Sequence, residues 1–200
     1  MNLAIYLLVA ILAALALAAL INLHTGRPRN QQLIILALSL AIYALALWLK
    51  PDNLWLLNAA ILLAAFGIGH LISRLVPGPP ALIAFLITAA IIDVFSFSGG
   101  LTRQLINQPS LLRYLAITLP LDGRQVAVMG VGDLVIFAAA YTVLRKSGFS
   151  KILAYLAPVV GLLLAILIGS FIGGVYAIPF IAVTTLAGLA LANRQTAKQR

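Results

Sequence analysis

Seven stretches of the chain, roughly 2–23, 32–49, 54–72, 81–98, 126–144, 152–172 and 175–192, supply the about 20 mostly apolar residues that a helix needs to cross a bilayer. In hydrocarbon every backbone N–H and C=O must find an internal partner, so a helix is the form such a stretch takes. The breaks carry turn and helix-stop residues: Gly26-Arg27-Pro28-Arg29, Lys50-Pro51-Asp52-Asn53, Pro77-Gly78-Pro79-Pro80 and Arg145-Lys146-Ser147-Gly148. Only Gly173-Gly174 separates the last two stretches. An unbroken helix over 152–192 would run about 60 Å, twice the hydrocarbon thickness, so two spans and a glycine turn are expected. The expected fold is an all-α membrane protein, a bundle of about seven transmembrane helices. It fills residues 1–200 as a single polytopic domain with no room for a soluble unit.

The composition agrees. The chain is 64% hydrophobic and 8% charged, against about 25% charged in a soluble domain, which excludes both an ordinary globule and disorder. Thirteen Lys and Arg face four Asp and no Glu, for a net charge of +9. The basic residues edge the apolar runs instead of forming one patch, which speaks against nucleic acid and for an orientation signal. Arg27, Arg29, Arg74, Arg145, Lys146, Lys151, Arg194, Lys198 and Arg200 fall on one side of a seven-span bundle. Lys50, Arg103, Arg113 and Arg124 fall on the other. This bias predicts an exoplasmic N-terminus, a cytoplasmic C-terminus and an exoplasmic connection over 99–125. No Lys or Arg precedes the first apolar run, and the run is too long for a cleaved signal, so it is expected to be retained. The absence of cysteine excludes disulfides, iron–sulfur clusters and thiolate zinc sites.

Four acids are few enough to take singly. Asp52 and Asp122 lie in turn-like contexts, Lys50-Pro51-Asp52-Asn53 and Leu121-Asp122-Gly123-Arg124. Asp93 and Asp133 instead lie inside apolar stretches, where an Asp costs about 2.5–3.5 kcal/mol on insertion scales and needs a partner, water or a function. At 1.5 Å per residue, Asp93 lies about 9 Å from the end of the fourth span, and Asp133 about 10 Å from the start of the fifth. Consecutive antiparallel spans bring two acids at one depth face to face. Two such carboxyls share a proton, so one can take a proton from water while the other hydrogen-bonds a scissile carbonyl. The pair titrates as a unit, which leaves base and acid unassigned. Depth and pairing also fit ion- or proton-coupled transport, or a structural hydrogen bond to a neighbouring helix.

Two glycines precede the second acid in Gly130-Val131-Gly132-Asp133. Small residues let backbones approach closely within a membrane, and beside an acid they admit a substrate strand. In these residues the chain resembles the GxGD intramembrane aspartyl proteases: presenilin, signal peptide peptidase and their archaeal and bacterial homologues. Gly130-Val131-Gly132-Asp133-Leu134-Val135-Ile136-Phe137, followed by Tyr141, is similar to the family's GxGD span. Asp93-Val94-Phe95 is similar to its first motif, with Ile92 where the family usually has Tyr. Ala177-Ile178-Pro179-Phe180-Ile181 stands where the family has Pro-Ala-Leu, with Pro179 in common. The resemblance implies a presenilin-like bundle with Asp93 and Asp133 as the catalytic pair. The pair would lie on spans of about 81–98 and 126–144, with the proline motif on a span of about 175–192. It implies that Gly130, Gly132, Val128 and Pro179 shape the site, with no cofactor. Its substrates would be single-span helices or remnant signal peptides in a prokaryotic cell membrane. It is compatible with a homo-oligomer. A transporter or channel using the same two acids, or an inactive relative that binds helices, remains the alternative.

Other residues read more plainly. The stretch Gln125-Val126-Ala127-Val128 is either extended, and then a place where an unwound substrate pairs as an added strand, or an ordinary loop. Residues 99–125 mix apolar side chains with Arg103, Gln104, Asn107, Arg113 and Tyr114, which suits an interfacial helix. Pro179 either shapes the site or merely kinks its helix. His24 and His70 lie at span ends without ligand spacing and read as interfacial polar residues, not a metal site. Tyr43, Trp48 and Trp55 read as an aromatic belt. No serine- or zinc-protease motif is present.

Overall fold

A computed structural model of the chain describes residues 3–25, 27–49, 52–99, 108–121, 124–172 and 177–198. Its elements, in chain order, are α1 (Leu3–Thr25), α2 (Arg29–Leu49), α3 (Leu54–Leu75), α4 (Pro79–Gly99), α5 (Pro109–Leu115), β1 (Ala116–Leu121), β2 (Arg124–Gly130), α6 (Val131–Lys146), α7 (Lys151–Ile172) and α8 (Ala177–Lys198). Among the described residues five helices, α1 to α4 and α7, are long and apolar enough to cross a membrane. The glycine turn at Gly173-Gly174, Asp122, Arg103, Gln104 and Asn107 lie outside the described residues.

Side-chain size sorts the faces of α1. Its buried face is Tyr6, Ala10, Ala13, Ala14, Leu17, Ala18, Ile21 and His24, with alanine predominant in the middle, while Leu8, Leu12, Leu15 and Leu23 point outward. Large apolar residues outside and small ones inside is the pattern of a helix solvated by lipid, because close backbone approach drives packing there and no apolar surface needs hiding. Ile34, Leu38, Ile92, Phe95, Phe171 and Val183 are exposed in the same way. Glycines set the closest contacts. A Cβ on Gly69 would stand 2.6 Å from the Ala138 Cβ, and one on Gly161 would meet the Phe180 carbonyl. These contacts press α3 onto α6 and α7 onto α8.

The centre of the bundle is α6. Every residue from Leu134 to Leu144 is buried, and α1, α3, α4, α7 and α8 all touch this helix. Tyr141 Oη donates to Asn22 Oδ1 at 3.0 Å and ties α6 to α1.

The sequence places a helical span over 126–144, and here the structure differs. Residues 124–130 form β2, which pairs antiparallel with β1 from Leu121↔Arg124 to Ala116↔Gly130, and the helix starts only at Val131. The Asp-Gly pair between two apolar-rich stretches is a strong hairpin signal, and the pairing gives 124–130 hydrogen-bond partners without a helix. The extended reading of Gln125–Val128 is therefore the one observed. Residues 109–115 form the short helix α5. The hairpin is anchored by a side chain: Asn58 Nδ2 donates to the Thr118 carbonyl at 2.8 Å, and the Thr118 N–H donates to Asn58 Oδ1 at 3.0 Å. One amide thus satisfies both backbone groups of a strand residue.

The interfacial reading of His24 and His70 is corrected. Both are 2% exposed, and their rings meet edge to face with centroids 4.6 Å apart, beside Phe66. Residues on separate helices meet at one bundle end, a contact invisible to sequence spacing. Trp48 and Trp55 are exposed, as a belt requires, whereas Tyr43 is half-buried and donates its hydroxyl to the Tyr114 carbonyl at 2.8 Å.

Candidate active site

Asp133 is the third residue of α6, and its place follows from helix-end chemistry. The first turn leaves N–H groups unpaired, and a carboxylate at that position reaches back to the residue that precedes the helix. The Gly130 N–H donates to Asp133 Oδ2 at 3.1 Å. The acid is therefore held at the junction of strand and helix, not in mid-helix, and the helical rise used to estimate its depth does not apply over 126–130.

Asp93 lies six residues before the end of α4 and packs toward α8. Its Oδ2 accepts the Ile178 N–H at 3.4 Å. Ile178 is the second residue of α8, so this N–H belongs to the unpaired set at a helix start. Pro179 follows it in the first turn, where a missing N–H breaks no intrahelical bond. The simple kink reading of Pro179 therefore gives way to a helix-start residue beside Asp93.

The two carboxyls are half-buried and sit on α4 and α6, which touch each other. Each is aimed by a backbone N–H from a different element, Gly130 at the β2–α6 junction and Ile178 on α8. Nearby charge is the condition for sharing one proton. That arrangement can polarise a carbonyl and activate a water in the same cycle.

The glycines play different parts. Gly130 has φ −72° and ψ 152°, which any residue can adopt, but a Cβ there would sit 3.3 Å from Asp133 Oδ2. A Cβ on Gly132 would meet nothing within 4 Å. The first glycine thus leaves room for the acid, and the second leaves open space beside it. Val128 is the odd residue of a bulge: Ile117 pairs with Met129 and Thr118 with Ala127, so Val128 has no partner of its own. Bulges beside functional sites re-aim the strand that carries them, and this one falls just before Gly130.

Asp93, Asp133, Gly130 and Ile178-Pro179 thus gather around one end of α6, with Gly132 open at their edge. Asn58 and the Ile178 N–H were not singled out from sequence. An amide within an apolar run was the available signal for Asn58; a backbone N–H leaves none. Among the described residues no group of three His, Asp or Glu side chains is placed to hold a metal. No protein-family model, curated protein or solved structure matches the chain.

Proposed function

We propose that the chain is an intramembrane aspartyl protease that cleaves single-span helices or remnant signal peptides, with Asp93 and Asp133 as its catalytic pair. The observation that carries the reading is that the touching helices α4 and α6 each contribute a half-buried acid, Asp93 held by the Ile178 N–H at the start of α8 and Asp133 by the Gly130 N–H at the β2–α6 junction. In the reaction one carboxylate takes a proton from water as its oxygen attacks the peptide carbonyl. The other, protonated, hydrogen-bonds the developing oxyanion. Collapse returns a proton to the leaving amine and breaks the C–N bond.

The hairpin supports the same reading. A helix must unwind before a protease can reach its backbone, and an unwound segment needs hydrogen-bond partners within the membrane. The outer edge of β1 is occupied at Thr118 by Asn58, and among the described residues no further strand pairs with β2. The β2 edge leads to Gly130 and Asp133, so a substrate added there arrives beside the acids. The proposal includes seven spans, with α6 and α8 crossing as well, and a cytoplasmic C-terminus.

The test is reconstitution of the purified protein with a fluorescent single-span peptide. Wild type is expected to cleave it, and Asp93→Asn and Asp133→Asn are each expected to abolish cleavage. Asn keeps an acceptor for the Gly130 N–H, so folding should survive and can be checked by circular dichroism. Absence of cleavage by wild type over a panel of peptides, with Asp-dependent proton flux in liposomes, would replace the protease with a transporter.

A further inference from the structure

At the opposite end of α6 from the carboxyl pair, a cleft of about 590 Å³ opens between the α3–α4 turn and the end of α6. Its lining includes Ser73, Arg74, Gly78, Pro79, Lys146 and Ser147. Two cations from different helices, Arg74 and Lys146, share it. Arg74 Nη2 donates to Gln32 Oε1 at 3.2 Å, and Lys146 Nζ donates to Ser73 Oγ at 3.2 Å and to the Ser73 carbonyl at 3.4 Å. All of these acceptors are neutral.

Among the described residues no carboxylate is in a position to answer those charges. Asp93 and Asp133 lie about 20 Å away along α4 and α6 at 1.5 Å per residue, and Asp52 precedes the far end of α3. The helix C-termini of α3 and α6 favour a cation, but each amounts to about half a charge. A guanidinium fork, an ammonium and a roomy cleft with no carboxylate among its lining residues suit a multi-oxygen anion, since Arg recognises phosphate bidentately and Lys adds a point charge.

We infer that this cleft binds a phosphate group, held between Arg74 and Lys146. The group has two sources, a free phosphate and the headgroup of an anionic phospholipid. This inference is independent of the proteolytic reading, because the cleft shares no residue with the carboxyl site.

The experiment uses the full chain in neutral detergent. Thermal unfolding is followed with inorganic phosphate, with short-chain phosphatidylglycerol and with short-chain phosphatidylcholine. Saturable stabilisation by phosphatidylglycerol but not phosphatidylcholine is expected. Additional stabilisation by inorganic phosphate identifies the free anion as sufficient, and its absence assigns the headgroup. The paired change Arg74→Gln and Lys146→Gln is expected to weaken binding at least about tenfold, the loss of a charged hydrogen bond or two. Arg145→Gln, a charge change outside the cleft, should leave binding unchanged. A photoreactive phosphatidylglycerol on wild type gives a reading that needs no variant, with labelling expected within 73–79 and 143–147. The inference is overturned if neither anion stabilises wild type, if Arg145→Gln weakens binding as much as the pair, or if labelling falls elsewhere.

Discussion

Gly132 shows how one absent side chain can matter to chemistry and not to folding. It lies in the first turn of α6 with open space where a Cβ would project. Gly132→Ala is expected to raise stability by about 0.4–1 kcal/mol, because the unfolded chain loses freedom and the helix accepts the residue. Gly132→Leu should fold too, but its side chain fills the space beside Asp133 and is expected to reduce peptide cleavage by about 10²-fold or more. Gly130→Ala differs, since its Cβ would stand 3.3 Å from Asp133 Oδ2 and push the carboxyl itself. Thermal unfolding and kcat measured on each variant separate the two effects. Equal activity in wild type and Gly132→Leu would remove that space from the substrate path.

At the scale of elements, the β1–β2 hairpin depends on α3 through one residue. Asn58 is 8% exposed and Thr118 3% exposed, so water does not replace a lost bond. Asn58→Leu leaves the Thr118 N–H and carbonyl unpaired, at about 1–3 kcal/mol for each buried group. The expected result is a lower unfolding midpoint and faster hydrogen exchange at the Thr118 amide. The strand that leads into Gly130 would then be less well placed, so cleavage should fall even where the protein stays folded. Unchanged exchange at Thr118 would show that the hairpin stands without α3.

For the whole molecule, α3 and α6 run in the same direction, since Asn58 joins the start of α3 to the hairpin and Lys146 joins the end of α6 to Ser73. The carboxyl pair and the cationic cleft therefore occupy opposite ends of the bundle. If the basic residues orient it, the turn at Asp52 faces outward and the turn at Ser147 faces the cytoplasm. The chain has no cysteine, so Asp52→Cys and Ser147→Cys each provide a single label site. An impermeant maleimide added to intact cells is expected to label the first and to reach the second only after lysis. The reverse pattern would invert the bundle.

Hydrophobic run length and punctuation were enough to read a helical membrane protein, and the helix boundaries follow the breaks at Gly26, Pro51 and Pro77-Gly78 closely. Asp93, Asp133 and the glycines before Asp133 were legible because a charge in an apolar stretch is costly and conspicuous. The strand at 124–130 was only half legible, because short apolar runs fit helix and strand alike and pairing with β1 decides between them. Tertiary structure alone brought His24 to His70, Asn58 to Thr118, and the Ile178 N–H to Asp93. Each joins residues far apart in the chain on elements of separate periodicity. Local pattern specifies the elements and their apolar faces; the close packing of small residues decides which polar groups those faces bring together.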